Sequence, residues 1–347
     1  MKRTGILAGV MAFILFLTGC GSRNFGNAST EKTEDSIKDY VTIGFSQLGA
    51  ESDWRSANTQ SMKDTFTTGK GYMLLLEDGQ QKQSNQIMAI RTFIQQEVDY
   101  IVLAPVTETG WDTVLQEAKD AGIPVIIVDR QVDVEDESLF TCWIGSDFEL
   151  EGKKAAEWLN QYITQEGLDP AQVNIVNIQG TIGASAQIGR TKGLQDASSR
   201  YGWNLMVEET GDFTQTKGKE VMEALLKEYD DINVVYCEND NEAFGAIEAI
   251  EENGRIAGSD IANGEIMVLS FDGVNGQAIR YVLEDKIICI AECNPLHGSR
   301  VESVIQMLRQ GRQPEKFYYV DEQIYSANKD ITSLIIDGEV YPVTILE

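Results

Sequence analysis

The chain has 347 residues, 42% of them hydrophobic, and carries 55 acidic against 28 basic side chains, for a formal net charge of −27. This length is enough for two domains that each bury a core. An acidic surface repels phosphate backbones, which argues against nucleic-acid binding. An alternative is that the acidic surface only keeps the protein soluble, and this explains the net charge fully. The charge therefore indicates no ligand.

The N-terminus, MKRTGILAGVMAFILFLTGC, predicts an export signal over residues 1–19. Lys2 and Arg3 precede an apolar run that is too short to span a bilayer as a stable helix. The segment before Cys20 resembles a bacterial lipobox, which implies cleavage there and diacylation of the thiol. The alternative is an ordinary signal peptide with an incidental cysteine. The sequence therefore predicts an extracytoplasmic protein that a lipid anchors to the cell membrane.

Residues 20–40 are polar and rich in Ser, Thr, Glu and Lys, which predicts a flexible tether before a folded part that begins near Val41. Four cysteines follow in that part, and buried free thiols are the favoured interpretation, with one long-range disulfide left open. A zinc site would need more ligands nearby than the single histidine, His297, supplies. No metal or cofactor is therefore predicted. The four cysteines are Cys142, Cys237, Cys289 and Cys293.

Short apolar runs alternate with amphipathic segments from Val41 onward. Continuous apolar strands are what a parallel sheet covered on both faces requires, and segments such as EGKKAAEWLNQYITQEG have the spacing of helices. The pattern predicts an α/β chain with two doubly wound parallel-sheet domains. The predicted strands are 41–46, 72–78, 100–105, 124–129, 141–146, 173–179, 204–210, 233–238, 266–272 and 287–292.

Planar polar or charged side chains follow nearly every predicted strand. Ligands bind beyond the carboxyl ends of the strands in such sheets, so this coincidence in both domains indicates a shared site. Carboxylates accept hydrogen bonds from neighbouring hydroxyls, arginine supplies donors, and a tryptophan face packs on the C–H side of a sugar ring. Taken singly, most of these residues are explained as helix caps, core or surface. The candidates are Ser46, Glu51, Trp54, Arg55, Asp129, Arg130, Arg190, Asn239, Asp272, Glu292 and Asn294.

The sequence contains no recognisable catalytic set. His297 stands alone, without a Gly-x-Ser-x-Gly, HExxH or P-loop motif, and is expected at a helix start or on the surface. An acid pair such as Glu51 and Asp129 could serve glycoside hydrolysis, but their separation is not given by sequence. Binding without turnover is the simpler interpretation.

The segments GFSQLGAESDWRSAN, DGQQKQSNQI, APVTETGW, EAKDAGIPVIIVDRQVDV, QGTIGASAQIGRTKG, GDFTQTKGKEVME and SFDG resemble those of type I periplasmic sugar-binding proteins of ABC transporters. Within that family the chain is most similar to the galactofuranose-binding receptors, over roughly residues 41–325. IPVIIVDR indicates only the broad pentose and hexose group, whereas SQLGAESDWR together with DGQQKQ is more specific.

The resemblance implies roles for the candidate residues. Trp54 and Arg55 would contact the sugar from the first helix, with Ser46 and Glu51 nearby. Asp129 and Arg130 would read ring hydroxyls. The second domain would close over the ligand with Arg190, Asn239 and Asp272, while Glu292, and less clearly Asn294, would lie at the last hinge segment.

The resemblance also implies a three-segment hinge, with crossovers near 145–147, 270–273 and 291–295, and closure of the lobes on the ligand. The expected N-terminal lobe is 41–145 plus 273–291, and the expected C-terminal lobe is 147–270 plus 295–347. The tail ITSLIIDGEVYPVTILE departs from the family and predicts a hairpin with Asp337 and Gly338 at its turn, or an added edge strand.

The expected function is that of a monomeric receptor, not an enzyme, that captures a monosaccharide, galactofuranose or a related hexose, and delivers it to an ABC permease. A sensor that presents its ligand-bound form to a membrane histidine kinase or chemoreceptor is the alternative. A transcription regulator would need a basic N-terminal helix-turn-helix, which the signal and the acidic tether argue against.

Overall fold

The computed structural model describes residues 40–347. The predicted signal peptide 1–19, the predicted lipidation site Cys20 and the predicted tether up to residue 39 lie outside the described residues. Within the part of the chain that is described, no helix has both the length and the apolar composition that crossing a membrane requires.

A six-stranded sheet forms the centre of the N-terminal lobe. Its strands are β1 (Val41–Gln47), β2 (Tyr72–Asp78), β3 (Tyr100–Leu103), β4 (Val125–Val128), β5 (Cys142–Gly145) and β11 (Phe317–Tyr319). They lie in the order β2-β1-β3-β4-β5-β11, and all neighbours are parallel. The helices of this lobe are α1 (Asp53–Thr65), α2 (Gln83–Gln95), α3 (Asp112–Asp120) and α9 (Gly298–Arg309).

A seven-stranded sheet forms the centre of the C-terminal lobe. Its strands are β6 (Asn174–Gln179), β7 (Asn204–Thr210), β8 (Val234–Cys237), β9 (Met267–Asp272), β10 (Cys289–Glu292), β12 (Ile324–Ser326) and β15 (Thr344–Ile345). They lie in the order β7-β6-β8-β9-β10-β12-β15, and only β10 and β12 are antiparallel. The helices are α4 (Phe148–Gln165), α5 (Ser185–Tyr201), α6 (Gln215–Glu228), α7 (Asp240–Glu252) and α8 (Gly276–Leu283).

Helices cover both faces of each sheet. Successive strand residues point to opposite faces, so Ile101 and Leu103 of β3 pack with α2 and α3, whereas Val102 packs with α1 and α9. In the other lobe, Ile175 of β6 packs with α4 and α5, and Val176 packs with α6 and α7. The predicted doubly wound α/β fold is confirmed, and each of the ten predicted strands is present.

The chain crosses between the lobes in three places: residues 146–147, 293–297 and 320–323. The expected crossover at 270–273 is wrong, because β9 and β10 are neighbours in one sheet and α8 between them packs on the same core. Residues 273–291 therefore belong to the C-terminal lobe. The expected placement of all of 295–347 in that lobe is also wrong, since α9 packs on α1 and β11 pairs with β5.

The C-terminal tail forms both of the structures that its sequence predicts. β13 (Ser333–Ile336) and β14 (Glu339–Pro342) make an antiparallel hairpin, and β15 adds an edge strand to the second sheet. Asp337 and Gly338 at the turn have φ angles of 52° and 90°, the left-handed conformation that a tight hairpin needs. Leu334 and Ile336 are buried against the core of the C-terminal lobe, which fixes the hairpin there.

Candidate functional site

Residues that follow the strands of both sheets line one cleft. Asp129 directly follows β4 with φ 63°, and Asp272 ends β9 with φ 94°. This left-handed backbone is unfavourable for most residues and is commonly retained at functional sites. The lining residues are Glu51, Ser52, Trp54, Arg55, Asp129, Arg130, Phe148, Ala186, Arg190, Phe213, Asn239, Asp272 and Cys293.

The N-terminal lobe contributes two arginines and two acids, and each of these side chains is at most 5% exposed. Arg55 Nη2 donates to Asp129 Oδ2 at 2.6 Å, and its Nε donates to Glu51 Oε1 at 3.0 Å. Arg130 Nη2 lies 3.8 Å from Glu51 Oε1, while its Nη1 donates to the Val106 carbonyl at 2.7 Å. Buried charges require such pairing, and the four formal charges of this group cancel.

The position of Arg55 follows from the start of α1. Ser52 caps this helix, and its hydroxyl oxygen accepts a hydrogen bond from the Arg55 backbone N–H at 3.1 Å. Arg55 and Glu51 are four residues apart across the helix start, so their side chains lie on one face. The segment ESDWR therefore contains both Ser52, which caps the helix, and Arg55, the cation of the site.

Burial and ion pairing shift the pKa values of Asp129 and Arg130 in opposite directions, because burial favours the neutral form and an opposite charge favours the ionised form. Burial favours a raised pKa for Asp129, but the nearby Arg55 and Arg130 guanidiniums outweigh it and hold the pKa below its usual range. Burial lowers the pKa of Arg130 to about 10, with Arg55 as a neighbouring positive charge. Both Asp129 and Arg130 are therefore charged at neutral pH.

Arg190 is the centre of the corresponding group in the C-terminal lobe. Its Nε donates to Glu151 Oε2 at 2.7 Å, its Nη2 lies 3.6 Å from Asp272 Oδ1, and its Nη1 donates to the Glu238 carbonyl. Burial raises the pKa of Asp272 well above its usual range although Arg190 opposes the shift. Burial likewise raises the pKa of Glu238 to about 7. This side of the cleft therefore has one arginine facing several acids that are hard to ionise.

Asn239 has two structural hydrogen bonds as well as a place in the cleft. Its Oδ1 accepts from the Glu242 backbone N–H at 2.8 Å, which caps α7, and its Nδ2 donates to the Phe213 carbonyl at 3.0 Å. Phe213 packs so closely on Gly180 that a Cβ there would lie 1.9 Å from the ring. Gly180 is therefore required for the Phe213 ring to occupy the edge of the cleft.

Three arginines in the cleft each lie against an aromatic ring, in the arrangement of a cation–π contact. Aromatic faces thus border the polar groups, and the cleft combines hydrogen-bonding edges with apolar surfaces. The pairs, with the distance from the guanidinium carbon to the ring centroid, are Arg55 and Trp54 at 4.6 Å, Arg130 and Phe213 at 5.1 Å, and Arg190 and Phe148 at 5.5 Å.

The lobes contact one another around the cleft, so the structure shows a closed arrangement. Trp54 Nε1, from the N-terminal lobe, donates to the Cys293 carbonyl in a crossover at 2.7 Å. Direct hydrogen bonds also join the lobes near the cleft. They run from Asp53 N to Asn241 Oδ1 at 2.9 Å, from Glu108 N to the Gly183 carbonyl at 3.1 Å, and from Gln131 N to Ser185 Oγ at 2.9 Å.

Three buried polar atoms of the cleft residues have no hydrogen-bond partner: Glu51 Oε2, Arg55 Nη1 and Arg130 Nε. Leaving such atoms unpaired is unfavourable, and a native site normally satisfies them. The set contains both an acceptor and donors. A ligand with hydroxyl groups, which donate and accept, matches this set.

Eight of the eleven candidate residues line the cleft, and Ser46, Glu292 and Asn294 do not. Ser46 is fully buried beneath it, with its hydroxyl and carbonyl oxygens each 3.4 Å from Gln86 Nε2. Asn294 Nδ2 donates to Glu292 Oε1 at 3.3 Å, and Glu292 Oε2 accepts from the Gln323 backbone N–H at 2.8 Å. Glu292 and Asn294 thus connect two crossovers. The eight that meet in the cleft are Glu51, Trp54, Arg55, Asp129, Arg130, Arg190, Asn239 and Asp272.

The lining also includes residues that the sequence did not mark as candidates: Ser52, Phe148, Ala186, Phe213 and Cys293. Ser52 has the sequence signal of a helix cap. Phe148 begins α4 immediately after the first crossover, a position that becomes informative only once the crossover is known. Small and aromatic residues such as Ala186 and Phe213 have no chemical signature that distinguishes a site from a core.

His297 and the cysteines lie in the interior. His297 directly precedes α9, as expected, but it is fully buried, so the expectation of a surface position is wrong. Its Nδ1 is 3.2 Å from Asn58 Nδ2, and burial lowers its pKa to about 4. The four described cysteines are buried free thiols.

The fold and the cleft define a two-lobed binding protein of type I architecture. Residues 43–291 match the family described as periplasmic binding protein domain. The chain belongs to this family.

Relatives of known role are similar over most of their length. The galactofuranose-binding protein YtfQ of Escherichia coli (strain K12) is 39% identical over 290 residues, which are 82% of this chain and 87% of that protein. A crystal structure from Mycobacterium smegmatis in complex with β-D-fucofuranose is 39% identical, with a TM-score of 0.77 over 82% of this chain and 91% of that one.

A third similar protein is the binding component of the arabinose ABC transporter from Shewanella sp. ANA-3, solved with α- and β-L-arabinofuranose. It is 37% identical, with a TM-score of 0.74 over 82% of this chain and 91% of that one. The resemblance to galactofuranose-binding receptors that the sequence segments indicate is confirmed by these proteins.

Proposed function

We propose that this protein is an extracytoplasmic lipoprotein that binds a monosaccharide, galactofuranose or a related hexose, between its lobes and delivers it to an ABC permease. The observation that carries the proposal is the cleft itself. Paired arginines and acids from both lobes surround it, aromatic faces border it, and unpartnered donor and acceptor atoms remain in it. These are the groups that recognise an uncharged polyhydroxylated ring.

The arrangement of charges supports an uncharged ligand. The acids and arginines of the N-terminal lobe cancel formally, so a charged ligand would leave a net charge buried in the cleft. A neutral sugar instead hydrogen-bonds to ions that are already paired. The furanose sugars bound in the two similar solved structures support a five-membered ring as the bound form.

The same ion pairs support binding over hydrolysis. A retaining or inverting glycosidase needs one carboxyl with a raised pKa to act as an acid. Here the Arg55 guanidinium bonds both Glu51 and Asp129, and the pKa of Asp129 is held low because its arginine neighbours outweigh burial. The low pKa of Asp129 therefore argues against its use as the acid of a glycosidase.

Calorimetric titration of protein that begins at residue 21 tests the ligand assignment. We would use D-galactose, D-fucose, L-arabinose, D-ribose and D-glucose, and would follow isotope-labelled galactose by NMR to identify the bound ring. One-to-one binding of galactose as its furanose form, with the sugar recovered unchanged, is the expected result. Binding of none of these sugars, or conversion of galactose to a product, would contradict the proposal.

Two separate experiments test the anchor and the transport role. Incorporation of labelled palmitate should occur in the full chain and be absent from Cys20→Ser. Deletion of the gene should abolish uptake of the bound sugar. Normal uptake together with loss of a sugar-induced transcriptional response would instead favour the sensor.

A further inference from the structure

All three crossovers between the lobes meet at the carboxyl group of Glu322, which is itself in the third crossover. Its Oε1 accepts from Ser146 Oγ, in the first crossover, at 2.7 Å and from the Asn294 backbone N–H, in the second, also at 2.7 Å. Glu322 is only 7% exposed. One side chain therefore connects every segment of the hinge.

A second carboxyl group faces Glu322 from the first turn of α4. Carboxylate oxygens of Glu151 and Glu322 and the Cys293 sulfur lie within 4.8 Å of one another. Glu151 Oε2 accepts from Arg190, but Oε1 is buried and no neighbour donates to it. Two ionised carboxylates can only accept hydrogen bonds, so close approach without a donor between them would be strongly unfavourable.

The surrounding charges do not neutralise both acids. Arg190 is shared between Glu151 and Asp272, and Lys154 Nζ is directed to the Glu322 backbone carbonyl at 2.9 Å. A proton on one carboxyl group removes the excess negative charge and supplies the missing donor. The titratable or charged groups that face the pair are Lys154 on α4, Arg190 on α5, Asp272 on β9, Glu292 on β10, Cys293 in the second crossover, Arg300 on α9 and Tyr325 on β12.

We propose that Glu322 carries a proton at neutral pH and donates it in a hydrogen bond to Glu151, which in turn holds Arg190 in the cleft. Glu322 is thus a positioning residue that joins the hinge to the ligand site. The measurement of galactose affinity that tests this inference rests on the proposed function, whereas the measurement of thermal unfolding does not.

The pKa values agree with this arrangement. Burial, followed by the negative charge of Glu151, raises the pKa of Glu322 to about 9, and burial also raises the pKa of Glu151. Because this folded-state pKa lies above the unfolded carboxyl value of about 4.3, the contribution of the proton to the free energy of unfolding is complete only below about pH 4. It declines as the pH rises toward about 9, where Glu322 loses its proton in the folded chain. Alkaline solution should therefore weaken both the closed hinge and the position of Arg190.

The test compares Glu322→Gln, Glu322→Leu and the exposed control Glu339→Gln between pH 7 and pH 10. Thermal unfolding is measured without ligand, and galactose affinity is measured by calorimetry.

The glutamine amide donates to Glu151 and accepts from Ser146 and Asn294, so it reproduces the protonated acid. We expect Glu322→Gln to keep its neutral-pH affinity within about threefold and to lose the alkaline decline. The wild type and Glu339→Gln should lose about tenfold in affinity over the same range, and Glu322→Leu should bind weakly throughout.

A decline in unfolding temperature and affinity that is the same in Glu322→Gln as in the wild type would overturn the proposal. So would equal loss of neutral-pH stability in the glutamine and leucine variants. If zinc raised the unfolding temperature of the wild type and not of Cys293→Ser, the cluster would be a metal site and the shared proton would be refuted. Absence of galactose binding in the wild type would remove the proposed ligand, while the unfolding profiles would still test the proton.

Discussion

Asp129→Asn is the substitution that separates charge from shape most cleanly in this cleft. Asparagine keeps the size of the side chain and tolerates the left-handed backbone at this position, where φ is 63°. What it removes is the negative charge that accepts from Arg55 Nη2 at 2.6 Å. Alanine would change the backbone preference as well.

The expected cost follows from burial. Removing one partner of a buried ion pair costs about 3–5 kcal/mol, and we expect the lower end because Arg55 keeps its contact with Glu51. For a chain of this size that is a fall in the unfolding temperature of roughly 5–10 °C. A charged hydrogen bond to a ligand contributes about 1.5–3 kcal/mol, so sugar affinity should fall about 10- to 100-fold.

Thermal unfolding and calorimetric titration of the wild type, Asp129→Asn and Asp337→Asn measure both effects. Asp337 is a matched control, because it also has a left-handed backbone, with φ 52°, but it is exposed in the tail hairpin. The pKa of Asp129 is held low in the fold, so the stability difference should be complete at neutral pH and shrink as the pH falls below about 4. Equal effects of the two substitutions, or wild-type affinity in Asp129→Asn, would refute the reasoning.

Two further substitutions test other parts of the site. Trp54→Ala should weaken sugar binding by roughly 1–3 kcal/mol. Trp54→Phe should weaken it less, because phenylalanine keeps an aromatic face and loses only the hydrogen bond to the Cys293 carbonyl. Equal affinity of the wild type and both variants in calorimetric titration would show that Trp54 does not contact the sugar. His297 is buried with a pKa of about 4, so between pH 6.5 and pH 4 the unfolded chain binds a proton that the native chain does not. The wild type should lose on the order of 3 kcal/mol of stability relative to His297→Gln over that range, and denaturant titrations that show the same pH dependence in both proteins would contradict this assignment.

The sequence predicts the sheets well because parallel strands that are buried on both faces are continuously apolar. Ile175 and Val176 of β6 illustrate this, since they pack on opposite faces and both must be hydrophobic. β11 and β12 were not predicted from the sequence, because each is three residues long and lies at or near a sheet edge. Strands that are exposed there do not need a continuous apolar run. The misplaced crossover at 270–273 came from the family resemblance, and the local pattern could not correct it, because a strand end followed by Gly273 looks the same whether or not the chain leaves the lobe.

The cleft was predictable where the side chain carries recognisable chemistry at a strand end. Asp129, Arg130 and Asp272 satisfy that condition, and the structure places all three in the lining. Glu322 does not, because it follows an edge strand late in the chain and its importance depends on three distant segments meeting there. Local pattern gives no information about such a meeting point, which only the crossover geometry defines.

The distribution of ion pairs bears on the hinge motion around a neutral ligand that we propose. Within residues 40–347, every ion pair joins groups of the same lobe: Arg55 with Asp129 on one side, Arg190 with Glu151 on the other. Opening the hinge therefore separates hydrogen bonds and the contact of Arg130 with Phe213, but no buried salt bridge. We therefore expect each lobe to keep its polar groups oriented in the open and the closed state, so that the ligand supplies only the differential affinity that favours closure.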